Sequence, residues 1–408
     1  MIKKWVNGLG PGTLVAAAFI GPGTVTVCTL AGLQFGFTLL WAMVLSVITT
    51  IILQEMSARL GIVTRQGFAE VIRATITNKQ LKWLVVILIL TAIVVGNAAY
   101  EAGNISGAVL GLETALKKPV VGFFGFSINI FSLLIGLIAV LLLYIGNYKI
   151  LERVLISLVI LMSISFLITA FMTKPAIFEV LKGMFLPRIP DKSLLLIIGL
   201  IGTTVVPYNL FLHAALVKEK WQTNELDKAR KDTVISMLLG GIVSMAIIVS
   251  AAAIKDGNSS GVTALAEGLE PLYGDYARYF LAIGLFAAGI TSAITAPLAA
   301  AYVASGCLNW SGGMRSKRFR LVWFIIVLLG VVFSSLGFKP IEVIKFAQVA
   351  NGILLPVIAG LLLWIMNNRK LLVANVNTLK QNILGLIVVL ITVFLGLKGI
   401  LQVFNLLS

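Results

Sequence analysis

The feature that most constrains this chain is the recurrence of apolar runs about 20 residues long from one end to the other. Runs of that length, almost free of charge, match the hydrocarbon thickness of a bilayer when they are helical. Only helices and closed barrels satisfy their own backbone in that medium, and the period-2 alternation of a membrane barrel is missing from the sequence. Of the 408 residues, 59% are hydrophobic and only 12% are charged, against about 25% charged in a soluble domain. The sequence therefore predicts an all-α integral membrane protein. Its eleven spans run approximately over 11–33, 37–60, 83–110, 126–147, 150–173, 193–217, 233–254, 276–308, 320–337, 341–366 and 380–404.

The connections are short, the longest being 218–232 and 255–275, so 1–408 reads as one membrane domain. One alternating set of loops holds most of the 32 basic residues, among them Arg65, Arg73, Lys79, Lys218, Lys228, Arg315 and Arg369. The positive-inside rule then puts the N-terminus in the cytoplasm and, after an odd number of spans, the C-terminus outside the cell membrane. "MIKKW" is basic, but no short apolar core with a small-residue cleavage site follows it, so the first span is expected to be retained. The net charge of +16 belongs to these loops and calls for no nucleic acid. Cys28 and Cys307 sit in apolar runs and read as small core hydrophobes. The expected partners are the lipid bilayer and a small inorganic ion, with no obligate protein partner.

Two spans are interrupted. "FIGPGTVTV" breaks span one at Gly21-Pro22-Gly23, and "IGTTVVPYNLFLHAALV" breaks span six at Val206-Pro207-Tyr208. Proline removes an N–H and disrupts the helical ladder. Broken backbone at membrane depth is tolerated only where protein or a wet cavity satisfies it. The breaks lie five spans apart, an odd number, so the two halves insert with opposite orientation. Matched broken helices in two halves point to an inverted-repeat transporter with a midplane site. The repeats are about 11–173 and 193–366, with an extra helix at about 380–404.

The segments "GPGTLVAAAFIGPGTVTVCTLAGLQFGFTLLW", "LQEMSARLGIVTRQGFAE", "GLIGTTVVPYNLFLHAALV" and "AQVANGILLP" resemble helices one, two, six and ten of the Nramp-type divalent-metal transporters. The resemblance implies a LeuT-type fold, with five plus five helices in inverted repeat and one helix appended. It also exposes departures. The family's first break reads Asp-Pro-Gly-Asn, its Asp and Asn holding the metal; here Gly21 and Thr24 stand at those positions. Its second break reads Met-Pro-His; here Val206 and Tyr208 replace the metal-binding Met and the His of the proton route. Ala98 stands where the third helix would carry an Asp. Glu101, His213 and Gln348 match the family's Glu of helix three, second His of helix six and Gln of helix ten.

The candidate substrate site is thus Gly21, Pro22, Gly23, Thr24, Thr203, Thr204, Val206, Pro207, Tyr208, Asn209 and Gln348, all formally neutral. A dehydrated dication is poorly stabilised by neutral groups at low dielectric. Thr24 is expected to cap the distal half-helix and, with the N–H groups of a positive dipole end, to donate to an anion. A small inorganic anion such as bicarbonate is therefore the expected cargo. The alternative is a divalent metal cation, Mg²⁺ or Mn²⁺, and a third reading is a non-transporting sensor or structural homologue. Glu101 is the expected coupling group, with Asn97 and Asn104 on its helix face and His213 as a second candidate. Na⁺ or H⁺ is the coupling ion, with no cofactor. One histidine and no recognisable nucleophile or metal motif argue against an enzyme.

Overall fold

The computed structural model describes residues 10–116, 120–123, 126–145, 148–254, 266–267, 270–336 and 339–403. The basic start of the chain and most of the 255–275 connection lie outside them. The first span is a pair of half-helices, α1 (Pro11–Phe19) and α2 (Pro22–Phe35), followed by α3 (Leu40–Thr64). A short amphipathic helix, α4 (Phe68–Thr75), leads into the long α5 (Lys79–Ala115). A hairpin of β1 (Val120–Phe123) and β2 (Phe126–Asn129) precedes α6 (Ile130–Ile145) and α7 (Tyr148–Met172).

After α8 (Ile177–Phe185), the second broken span is α9 (Leu194–Thr204) with α10 (Pro207–Lys220). Then come α11 (Leu226–Ala252), α12 (Ala277–Leu308), α13 (Lys317–Ser335), α14 (Pro340–Ile365) and α15 (Leu379–Val403). Among the described residues eight helices are long and apolar enough to cross a membrane, α9 and α10 counting together. The other predicted spans fall on α1 with α2, on α6 and on α7.

Both breaks lie one residue earlier than their prolines suggest. Ile20 ends α1 and Gly21 precedes α2, while Val205 ends α9 and Val206 precedes α10. Pro22 and Pro207 open the distal half-helices, where a missing N–H costs nothing and the fixed φ suits the first turn. The interruption is made by extended backbone at Gly21 and Val206, and the prolines stop the preceding half-helix from running on. Span four also starts later than expected. Residues 126–129 form a strand of the hairpin, since a short apolar run does not by itself distinguish strand from helix.

Small residues set how closely the helices approach. In "GNISGAVLG", Gly103 faces Ala347 of α14, Gly107 lies on Pro22 and Gly111 lies on α12. The stretch is helix-packing surface, and α5 and α12 form the most extensive helix interface among the described residues. Gly36 (φ +57°) follows α2 in a backbone region that residues with a Cβ avoid, and it turns the chain toward α3. At the end of α3, Arg59 is buried. It donates to Glu55 Oε2 at 3.0 Å, to the Asn375 carbonyl at 2.8 Å and to Asn377 Oδ1 at 2.7 Å. Glu55 also takes Arg230 of α11 at 2.9 Å. The i,i+4 pair visible in the sequence is thus one corner of a clamp that ties α3 and α11 to the segment before α15.

Candidate functional site

The two broken spans touch at their interruptions. Thr24, in the first turn of α2, and Thr203, near the end of α9, share a hydroxyl–hydroxyl hydrogen bond of 2.8 Å. Gly21 occupies the N-cap position of α2 in extended conformation, so Thr24 lies inside the helix. The expectation that Thr24 caps α2 is therefore corrected: its hydroxyl reaches across to the other repeat. Glycine at 23 lets the side-chain amide of Gln348 from α14 lie against the first turn of α2, where an added Cβ would displace it. The backbone of Gln348 lies equally close to Gly202. Gln348 thus sits over both broken spans.

Tyr208, on the first turn of α10, turns its ring edge-on to Tyr100 of α5, with centroids 5.4 Å apart. Thr24, Thr203, Val206, Tyr208 and Asn209 are each 0% exposed, so both sides of the site are closed. Yet both amide atoms of Asn209, Asn351 Nδ2 and Glu101 Oε1 form no hydrogen bond. The Tyr100 hydroxyl lies close to Gln348 and Tyr208, and that of Tyr208 close to Thr295, without the geometry of good hydrogen bonds. Buried polar atoms are nearly always paired. These groups, beside two helix breaks, form the candidate site.

Glu101 neighbours Tyr100 on α5. Its stem packs against Gly330 of α13, and its Oε2 accepts from Asn104 at 3.3 Å. Asn97, expected beside it as a coupling group, instead donates to the Ala296 carbonyl of α12 at 2.8 Å and holds two helices together. His213 lies about two turns beyond the break, fully buried, with Nδ1 2.9 Å from Gln54 Oε1 of α3. Thr204 is beside the break, but its hydroxyl turns back to the Leu200 carbonyl at 2.9 Å and lies 3.6 Å from Met43 Sδ. Tyr100, Asn351 and Met43 come to the site from helices whose sequences carry no break. Only Asn351, one turn from Gln348, had a sequence signal.

Among the described residues, no three of His, Cys, Asp and Glu converge as metal ligands. The polar offer is hydroxyls, carboxamides, one carboxylate and the carbonyl ends of two half-helices, α1 and α9. The last carbonyls of a helix lack intrahelical partners and carry about half a negative charge.

Two broken helices meeting at a buried polar cluster within a bundle of spanning helices define a membrane transporter of the LeuT type. Residues 12–402 match the family described as natural resistance-associated macrophage protein-like, and the chain belongs to this Nramp family. It is 30% identical over 393 residues to the divalent metal cation transporter MntH of Bradyrhizobium diazoefficiens, spanning 90% of this chain and 83% of that one. It is 25% identical over 400 residues to MntH of Caldanaerobacter subterraneus, spanning 95% and 91%. The fold is that of a manganese transporter from Eremococcus coleocola, with a TM-score of 0.75, 23% identity and coverage of 96% of this chain and 86% of that one. The nucleobase-cation symporter Mhp1 shares it at a TM-score of 0.62 and 15% identity, over 98% and 94%.

These relatives overturn the expectation of bicarbonate as cargo. Proteins matching over nearly the full length are named as transporters of divalent metal cations. The inference from lost charge failed for a physical reason. Removing the break carboxylate lowers repulsion of an anion but builds no donor set for one. Thr24 is engaged with Thr203, and the unpaired oxygens at the site suit a cation and its waters equally well.

Proposed function

We propose that this protein is a secondary transporter of hard divalent metal cations, Mg²⁺ ahead of Mn²⁺, which it holds with part of their hydration shell. The observation that carries this reading is a set of buried, uncharged oxygens at the breaks: the Tyr100 and Tyr208 hydroxyls, whose rings touch, and the Gln348 amide, which lies over Gly23. Mg²⁺ gives up water reluctantly and usually keeps several waters in protein sites. A hydrated ion presents its waters as donors, and neutral oxygens accept them without the dehydration that a naked ion would need. The half-helix carbonyl ends supply partial negative charge, and Glu101, next to Tyr100 on α5, adds a buried carboxylate. Val206 offers no thioether, and the Met43 sulfur is met by the Thr204 hydroxyl at 3.6 Å, so the preference for softer metals is reduced.

The half-helices rock about Gly21 and Val206 while α5, α12 and α13 stay packed, which gives alternating access across the cell membrane. The proposed orientation has the N-terminus inside. Glu101 is the proposed coupling group, taking H⁺ or Na⁺. Liposomes holding a Mg²⁺-sensitive dye test this reading. Uptake that saturates with external Mg²⁺, and that Gln348→Ala reduces at least tenfold, is expected. No uptake of any divalent cation, under any H⁺ or Na⁺ gradient, would sink it. Glu101→Gln should keep downhill Mg²⁺ exchange while abolishing the response to the driving gradient.

A further inference from the structure

Half-helix α1 ends at the site, and its far end is held by a carboxylate from the other repeat. Asp232 of α11 is 9% exposed. Its Oδ1 accepts from the Gly10 N–H at 2.8 Å and its Oδ2 from the Gly12 N–H at 2.9 Å. These amides belong to the N-terminal group that no helix satisfies internally. Pro11 between them has no N–H, so one carboxylate takes both consecutive donors available there. Glycine at 10 and 12 permits the approach, since a Cβ at either would meet the Asp232 carboxylate. Trp221, just past the end of α10, sets its unpaired indole Nε1 beside Gly10. The remote end of α1 is therefore bound to α11 and neighboured by the partner half-helix, while its other end lies at the closed site.

We infer that Asp232 is a positioning residue for transport: it latches half-helix α1 in the closed position and must release Gly10 and Gly12 before cargo leaves on that side. Charge-assisted hydrogen bonds are about twice as strong as neutral ones. Losing one or both shifts the closed–open equilibrium without touching a residue at the break. The inference rests on the transporter reading, and its readout does not need cargo.

The test uses the full chain in liposomes, with Cys28→Ala and Cys307→Ala to remove the native thiols and Ala16→Cys on buried α1 as the reporter. A membrane-impermeant maleimide is applied from each side. Asp232→Ala should speed labelling from the Gly10 side at least tenfold. Asp232→Asn, which keeps the shape and one acceptor, should fall between it and the parent. Apparent KM for external Mg²⁺ should rise by a smaller factor, the reciprocal of the closed fraction that remains, because binding weakens only as the competent population is depleted. Unchanged labelling in both variants, with both monodisperse, overturns the latch. If Asp232→Ala does not fold, the near-isosteric Asp232→Asn decides alone. Faster labelling in protein that moves no divalent cation would uphold the latch and sink the cargo proposal.

Discussion

Asn209 is wholly enclosed with both ends of its amide unpaired. An unsatisfied buried polar group costs about 1–3 kcal/mol. Asn209→Leu, of similar volume, should therefore raise the melting temperature of the empty protein while cutting Mg²⁺ flux. Scanning calorimetry beside dye uptake checks both signs, and a fall in both would mean that the amide is ordinary packing. Val206 tests selectivity. Val206→Met restores a thioether next to the break and should let Cd²⁺ compete with Mg²⁺, where the parent is indifferent. Gly23→Ala should stop transport in protein that still inserts, because the added methyl displaces the Gln348 amide.

At this scale the sequence was legible where a signal is local. Pro22, Pro207 and their neighbours announced both breaks. It was not legible where a role depends on what lies opposite. Thr24 suits a cap in sequence but meets Thr203, 179 positions away. Asn97 shares a face with Glu101 but finds the Ala296 carbonyl, 199 positions away.

Among the elements, the segment between α14 and α15 carries the most consequence for stability. Buried Arg59 joins it to α3 through three acceptors, and Glu55 passes the connection to Arg230 of α11. Breaking a buried ion pair costs about 3–5 kcal/mol when one partner is left stranded. Glu55 would keep Arg230, so the low end, about 3 kcal/mol, is expected for Arg59→Ala. Arg59→Lys should recover only part of this, because an ammonium lacks the planar fork that reaches three acceptors. Thermal unfolding in detergent, with Glu55→Gln as comparison, measures the difference. Glu55 and Arg59 are i,i+4 neighbours, but their remaining partners Asn375 and Asn377 lie over 300 positions away, where no local pattern points to them. The opposite failure occurred at 126–129, where an apolar stretch read as the start of a helix pairs as a strand with 120–123. Strand pairing is a property of two segments, and the hydrophobic pattern of one does not reveal it.

For the whole molecule, the all-α membrane architecture, the LeuT-type fold and the family were legible, because a bilayer permits few architectures and its length requirement is written into the spans. The cargo was not. On the proposed reading it depends on how much water an ion keeps, and the residue types at the breaks alone do not reveal that. The neutrality of those breaks has an electrical consequence. Gly21, Thr24, Val206 and Tyr208 carry no charge, so the half-helices of an empty carrier bring none across the field at these positions as they return. A dication carried over the full potential drop gains about 4.6 kcal/mol per 100 mV. Membrane voltage should therefore accelerate the loaded step and leave the empty return untouched. In liposomes clamped with K⁺ and valinomycin, the signature is a maximal rate that saturates with increasing negative potential while the Mg²⁺ concentration needed for half-maximal rate keeps falling.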